Sequence, residues 1–210
     1  MTSRLIKRCL DFGAASLALL LLTPVLACLG AAVRLTMGSP VLFRQIRAGY
    51  KGRPFTLLKY RTMNAIRDTH GRLLPDSQRL TRFGQLLRRF SLDEIPQLWN
   101  VWKGEMSLVG PRPLLLEYLE RYTPEQARRH DTKPGITGWA QVNGRNTLSW
   151  EERFRLDVWY ADHWSLSLDF WIILKTIRKV LLREGISQSG YATMPEFLGC
   201  EDCTVENRPS

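Results

Sequence analysis

Cysteine and histidine are scarce in this sequence, and their scarcity excludes two kinds of small domain. The chain of 210 residues contains four cysteines and three histidines. So few cysteines cannot form a disulfide framework and are typical of a reducing compartment. Cys200 and Cys203 form a C-x-x-C motif, but no histidine stands at a spacing that would complete the roughly four ligands of a zinc site. We therefore predict that residues 200–210 are a disordered tail.

Acidic residues are nearly absent from the first third of the chain. Residues 1–67 contain eleven Lys or Arg side chains and one acid, Asp11, so the whole formal net charge of +10 lies there. A basic segment beside an apolar one favours an anionic phospholipid surface at least as strongly as nucleic acid. Because no nucleic-acid motif occurs, we predict no nucleic-acid partner. A membrane-tethered basic binding protein without catalytic activity is the alternative to an enzyme.

One long segment carries no charge at all. It runs from Phe12 to Val33, and as a straight helix its 22 residues would cross a hydrocarbon core. Both flanks are basic, so the positive-inside rule favours a cytoplasmic location for both ends. Thr23 and Pro24 lie at its middle, where proline bends a helix and the Thr23 hydroxyl can satisfy exposed backbone. We predict that residues 1–36 form a re-entrant helix–break–helix in one leaflet.

Two other interpretations of this segment stay open. A simple spanning helix has the same length and composition. A secretory signal is the second alternative, because basic residues precede the apolar run and Val25–Cys28 is close to a lipoprotein cleavage box.

Residues 37–199 are predicted to form one cytosolic domain of the α/β class, mostly helical with short β elements. Alternation and turn residues indicate strands over 41–47 and 55–63. The last periodic element, residues 166–186, is typical of an amphipathic helix at a membrane interface, although a helix packed on the core would show the same pattern. Apolar periodicity indicates helices over residues 80–90, where Gly84 is unfavourable, over 114–130 with a break at Pro124, and over 151–164 and 166–186.

The adjacent carboxylates Asp93 and Glu94 follow a basic segment that has no acid after Asp76. Ser91 and Glu94 fit a capping box, and this local pattern alone favours a structural role. Pro96 would then lie inside the helix, where proline is unfavourable. We therefore expect the helix to begin later and to leave both carboxylates at its entrance.

The same pair also has the chemistry for attack on phosphorus. A carboxylate can form an acyl phosphate, provided that cations neutralise the charge of the phosphate. A second carboxylate could help to hold Mg²⁺, which prefers oxygen ligands. The cations available for this are Lys59, Arg88, Arg89, Arg112 and Arg145.

Two long motifs decide between these interpretations. The segments RRFSLDEIPQLWNVWKGEMSLVGPRP (residues 88–113) and KPGITGWAQVNGR (residues 133–145) resemble the bacterial sugar transferase family, the monotopic phosphoglycosyl transferases. The similarity extends over about residues 3–199 and is greatest to members that start glycoprotein glycan assembly from a UDP-diacetamido sugar. The family usually has Ser-Pro where this chain has Thr23-Pro24, which keeps the hydroxyl.

The resemblance implies a two-step transfer. Asp93 would take a phospho-sugar from a UDP-sugar and release UMP, and undecaprenyl phosphate would then accept it, which starts glycoconjugate assembly. Glu94 would assist, either by holding Mg²⁺ together with Asp93 or by orienting its neighbour. The site would lie at the cytoplasmic face of the bacterial inner membrane. The residues implied in phosphate or nucleotide binding are Lys59, Arg88, Arg112, Gly135, Gly138, Gly144 and Arg145.

Overall fold

The computed structural model describes residues 2–144, 147–182 and 196–199. The chain is mostly helical with four short strands in these parts, as the sequence predicts for an α/β protein. The elements in chain order are α1 (Thr2–Met37), β1 (Leu42–Ala48), β2 (Pro54–Tyr60), α2 (Asp76–Arg79), α3 (Arg82–Arg89), α4 (Gln97–Lys103), β3 (Ser107–Val109), α5 (Pro124–Ala127), β4 (Gly135–Thr137), α6 (Trp139–Asn143), α7 (Trp150–Asp162) and α8 (Leu166–Leu182).

Helix α1 runs through Pro24 as one helical element, so the predicted division into two helices is not observed. Proline removes a single backbone hydrogen bond, and the bonds of the neighbouring turns hold the helix together. Because proline has no N–H, Pro24 cannot donate to the carbonyl of Leu20. The Thr23 hydroxyl does not replace that donor, since it donates to the carbonyl of Leu19 at 2.7 Å. By length and composition α1 could cross a membrane. The re-entrant path stays a prediction.

Both ends of α1 contact the rest of the chain, whereas its middle is exposed. Near the N-terminus, Arg8 donates to the carbonyls of Val101 and Trp102, both at 2.7 Å. Near the C-terminus, Val33 is fully buried, and the hydroxyl of Tyr60 donates to the carbonyl of Leu26 at 2.7 Å. The exposed residues between these contacts include Leu17, Leu20 and Leu21.

The strands form two separate pairs, and each pair positions one part of the candidate site. Strands β1 and β2 are antiparallel, with Phe43 opposite Lys59, and they match the predicted strands closely. Strands β3 and β4 are parallel, with Ser107 opposite Gly135. The second pair brings the segment after β3, which carries Arg112, beside the glycine-rich segment.

The predicted helices are confirmed in part. Helix α3 begins after Thr81, whose hydroxyl accepts a hydrogen bond from the backbone of Gly84. A Cβ at Gly84 would lie 1.9 Å from the carbonyl oxygen of Thr62, so close backbone packing explains this glycine. Residues 114–130 form mostly short 3₁₀ turns, and Pro124 begins α5 instead of breaking a helix. Helices α7 and α8 lie where periodicity places them.

Candidate active site

Asp93 and Glu94 lie in a single 3₁₀ turn, Leu92–Glu94, between α3 and α4. Ser91 enters this turn with φ of 54°, in the left-handed region. Its side chain does not cap the turn, so the capping box that the local pattern allows does not form. Helix α4 begins at Gln97 directly after Pro96, which confirms that the two carboxylates stand at its entrance.

The carboxylate of Glu94 is held by two cations. Its Oε1 accepts hydrogen bonds from Lys59 Nζ and from Arg112 Nη2, each at 2.7 Å. Burial acts to raise the pKa of Glu94, but Arg112 and Lys59 outweigh it and hold that pKa well below its usual range. Glu94 is therefore ionised at neutral pH. The competing cations explain why it does not reach back to Ser91 as a capping residue.

Asp93 lies beside this cluster in a different environment. Its side chain is buried, and burial followed by the negative charge of Glu94 raises its pKa above the usual value. Lys59, Arg88 and Arg112 oppose this shift because their positive charges favour the ionised form. A buried carboxylate of raised pKa with cations around it is well suited to attack an anionic phosphate.

The structure thus brings five of the predicted site residues together. They are Asp93, Glu94, Lys59, Arg88 and Arg112. The Nε of Arg88 donates to the Thr62 hydroxyl at 3.1 Å, which orients the guanidinium group. Arg145 lies outside the described residues.

The glycines of the second motif have a packing explanation. A Cβ at Gly135 would lie 2.1 Å from the backbone nitrogen of Gly110, and one at Gly138 would lie 2.1 Å from its oxygen. A Cβ at Gly144 would lie 2.6 Å from the side chain of Leu148. The first two glycines therefore let the chain approach the segment that carries Arg112. A direct contact with nucleotide stays a prediction.

Sequence reasoning missed a buried ion pair next to the site. Arg129 and Asp157 are both about 1% exposed, and their side chains are 2.6 Å apart. A signal for it existed, because Asp157 stands among Phe154, Val158 and Tyr160 on the buried face of α7. A charge at a helical core position indicates a buried partner.

The chain could supply two carboxylate ligands to Mg²⁺. No group of three or more His, Cys, Asp or Glu side chains suited to a metal occurs within the described residues. Mg²⁺ is commonly held by one or two carboxylates together with water and substrate phosphates, which is the role predicted for Asp93 and Glu94, although Glu94 Oε1 already accepts from Lys59 and Arg112. Magnesium binding stays a prediction.

Comparison with known proteins gives a consistent result. The family model described as bacterial sugar transferase matches residues 2–183. An uncharacterized sugar transferase of Bacillus subtilis is 55% identical over 198 residues, which cover 94% of this chain and 98% of that protein. The exopolysaccharide production protein ExoY of Rhizobium meliloti is 38% identical, covering 85% of this chain and 87% of its own length.

A further relative carries a more specific name. The UDP-glucose:undecaprenyl-phosphate glucose-1-phosphate transferase of Escherichia coli is 42% identical over 187 residues, or 84% of this chain. The match spans only 40% of that protein.

Proposed function

This chain belongs to the bacterial sugar transferase family, and from that premise we propose that it is a phosphoglycosyl transferase acting on a UDP-sugar and undecaprenyl phosphate. The observation that carries the proposal is the buried Asp93 beside Glu94, Lys59, Arg88 and Arg112. The relative from Escherichia coli named for this type of reaction supports the choice of substrates.

In the first step, a carboxylate oxygen of Asp93 attacks the phosphorus that carries the sugar. The bond from that phosphorus to the bridging oxygen breaks, and UMP leaves with the bond electrons. Lys59, Arg88 and Arg112 stabilise the negative charge that spreads over the phosphate oxygens. Ionised Glu94 keeps Lys59 and Arg112 in place.

In the second step, a phosphate oxygen of undecaprenyl phosphate attacks the same phosphorus. The bond to Asp93 breaks, which restores the carboxylate and gives a polyprenyl diphosphate-sugar. Neither step breaks the bond between the sugar and its oxygen, so the anomeric configuration is retained. Mg²⁺ bound at Asp93 and Glu94 would supply additional charge neutralisation.

The exposed apolar surfaces support a position at the membrane interface. Helix α8 buries Ile172 completely but leaves Phe170 64% and Trp171 51% exposed, so it both packs on the domain and presents an apolar face. The ring of Trp102 stacks against those of Phe12 and Trp99, and all three side chains are partly exposed. We place the site at head-group level on the cytoplasmic face of the bacterial inner membrane, with α1 entering one leaflet.

Incubation with a labelled UDP-sugar and Mg²⁺, without lipid acceptor, tests the mechanism. We expect UMP release of about one equivalent and a covalent phospho-sugar adduct on the wild-type chain, and neither on Asp93→Asn. Asp131→Asn, at an exposed aspartate paired with Lys51, is the matched control and should behave as wild type. UMP release that survives Asp93→Asn would contradict the proposed nucleophile.

The donor sugar and the competing binding function need separate experiments. A panel of UDP-sugars scored by UMP release would identify the donor, which the sequence does not specify. The alternative, a basic binding protein, predicts nucleic-acid affinity that falls steeply with salt and does not depend on Asp93.

A further inference from the structure

Arg129 and Asp157 form a buried ion pair for which the proposed reaction has no use so far. Arg129 donates through Nε and Nη2 to Asp157 Oδ2, at 3.2 and 2.6 Å. Removing two such groups from water is costly, and a buried pair is often no more stabilising than apolar residues of similar size. The pair therefore calls for an explanation other than stability.

Arg129 also lies over the rings of Tyr122 and Phe154, and one further contact leads to the site. Its Nη2 also donates to the backbone carbonyl of Arg112 at 2.8 Å. The side chain of Arg112 in turn donates to Glu94 Oε1 at 2.7 Å. Hydrogen bonds thus connect Asp157 on α7 to Arg129, Arg129 to the backbone of Arg112, and the side chain of Arg112 to Glu94.

The backbone around Arg112 is held from several sides. The carbonyl of Pro111 accepts from the backbone nitrogen of Gly135 at 3.0 Å, and that of Leu114 accepts from Ala48 at 3.1 Å. In both bonds the donor is a backbone amide at the end of a strand, Gly135 of β4 and Ala48 of β1. The carbonyl of Arg112 itself is held by a side chain, which makes its position depend on the identity of residue 129.

We propose that Arg129, oriented by Asp157, is a positioning residue that fixes Arg112 against Glu94 for phosphoryl transfer. This inference rests on the proposed function. Arginine suits the role because its planar fork can donate to a carboxylate and a carbonyl at the same time, in a fixed geometry. Lysine keeps the charge but offers a single ammonium group on a flexible stem.

Arg129→Lys tests the proposal, with Arg128→Lys as the matched control. Arg128 is the exposed neighbour and pairs with Glu125 and Asp162. We expect Arg129→Lys to form the adduct about ten- to a hundredfold more slowly, since small misplacements of catalytic groups have effects of that size. Arg128→Lys should match the wild type.

A double-mutant cycle separates positioning from a general structural effect. If Arg129 acts through Arg112, adding Arg129→Lys to Arg112→Lys should slow the reaction less than about threefold further. Independent, multiplying effects of the two substitutions would overturn the proposal. Should Arg129→Lys fail to fold, the combination Arg129→Met with Asp157→Leu removes both buried charges and is expected to fold, with the same loss of rate.

Amide hydrogen exchange supplies a measurement that needs no activity. Residues 107–115 should exchange faster in Arg129→Lys than in the wild type, and unchanged in Arg128→Lys. If Arg129→Lys exchanges faster but the wild type forms no adduct, the proposed function is contradicted, while the role of Arg129 in positioning Arg112 is supported. An active wild type with unchanged rate and exchange in Arg129→Lys would overturn the positioning role alone.

Discussion

His130 lies directly after Arg129, and its ring is buried at 8% exposure. The Nδ1 atom is 3.1 Å from the carbonyl oxygen of Gly49, so it must carry the proton and donate. Nε2 is buried and has no hydrogen-bond partner among the described residues. Burial, and then the charge of Arg129, lower the pKa of His130 from 6.5 to about 4, although Asp131 acts in the opposite direction.

This environment predicts a pH dependence of stability. The unfolded chain binds a proton on His130 below about pH 6.5, whereas the folded chain binds it only near pH 4. Stability is therefore complete above about pH 6.5 and falls by up to about 3 kcal/mol as the pH drops toward 4. Denaturant unfolding between pH 5 and 7.5 should show this slope, and His130→Asn, which keeps a donor for Gly49, should flatten it. An equal slope in His130→Asn and in the exposed control His70→Asn would contradict this explanation.

Single residues also show how far sequence alone can predict the site. Asp93, Glu94, Lys59, Arg88 and Arg112 could be proposed because the chemistry of phosphate attack selects their types and the motifs select their positions. The partners of Glu94 could not be derived from local pattern, since Lys59 and Arg112 approach it from other elements. A capping box competes poorly with two cations that hydrogen-bond the same carboxylate, so the role that the local pattern favours is not observed.

The identity of the partner of Asp157 could not be derived from the sequence, for the same physical reason. The two residues are 28 positions apart and meet only when α7 packs against the turn Arg128–Asp131. Residue types in a sequence indicate which groups need partners. They do not say which distant segment provides them.

At the scale of elements, the attachment of the first turns of α1 to the domain can be tested by a single substitution. Asp169 of α8 accepts hydrogen bonds from Lys7 Nζ at 2.5 Å, from the Tyr160 hydroxyl at 2.7 Å and from Trp164 Nε1 at 3.2 Å. Asp11 accepts from the Ser107 hydroxyl at 2.8 Å. These bonds join the first turns of α1 to α7, α8 and β3.

Asp169→Asn should weaken this attachment. The substitution leaves Lys7 with Asp11 alone, 3.8 Å away, and we expect a loss of about 2 kcal/mol, because the pair is largely but not fully buried. Thermal unfolding in detergent would measure it, with Asp162→Asn at a more exposed position as the control. A melting temperature lowered equally in both variants would show that the loss is not specific to this attachment.

Elements were predicted well where packing agreed with local preference and poorly where it did not. The antiparallel pair β1–β2 and helices α7 and α8 follow from periodicity and turn residues. Residues 114–130 have helical periodicity, yet the backbone there bonds instead to neighbouring segments, as Ala48 does to Leu114. Pro24 favours a break, but local preference does not fix the path of α1, whose two ends are held by the domain.

For the whole molecule, the path of α1 through the lipid is the principal prediction left to test. In a chain with its cysteines replaced by serine, single cysteines at the exposed positions Ser3 and Thr36 would report the two ends of α1. For a re-entrant helix, an impermeant maleimide should label both from the same side of sealed vesicles. Labelling from opposite sides would establish a spanning helix. Cysteine at exposed Arg72 serves as the reference for the domain's side.

The contact between Lys7 and Asp169 also has a consequence for how the protein is made. The two residues are 162 positions apart, so the ribosome completes one about 10–30 s after the other. During that interval the apolar middle of α1 is already synthesised, and α4 and β3, which contact its first turns, are completed before α8. The contact with α8 is therefore the last of these attachments of α1 to become possible during synthesis. A product that ends before α8 would lack the contact between Lys7 and Asp169 but keep the partners of Arg8 and Asp11 in α4 and β3.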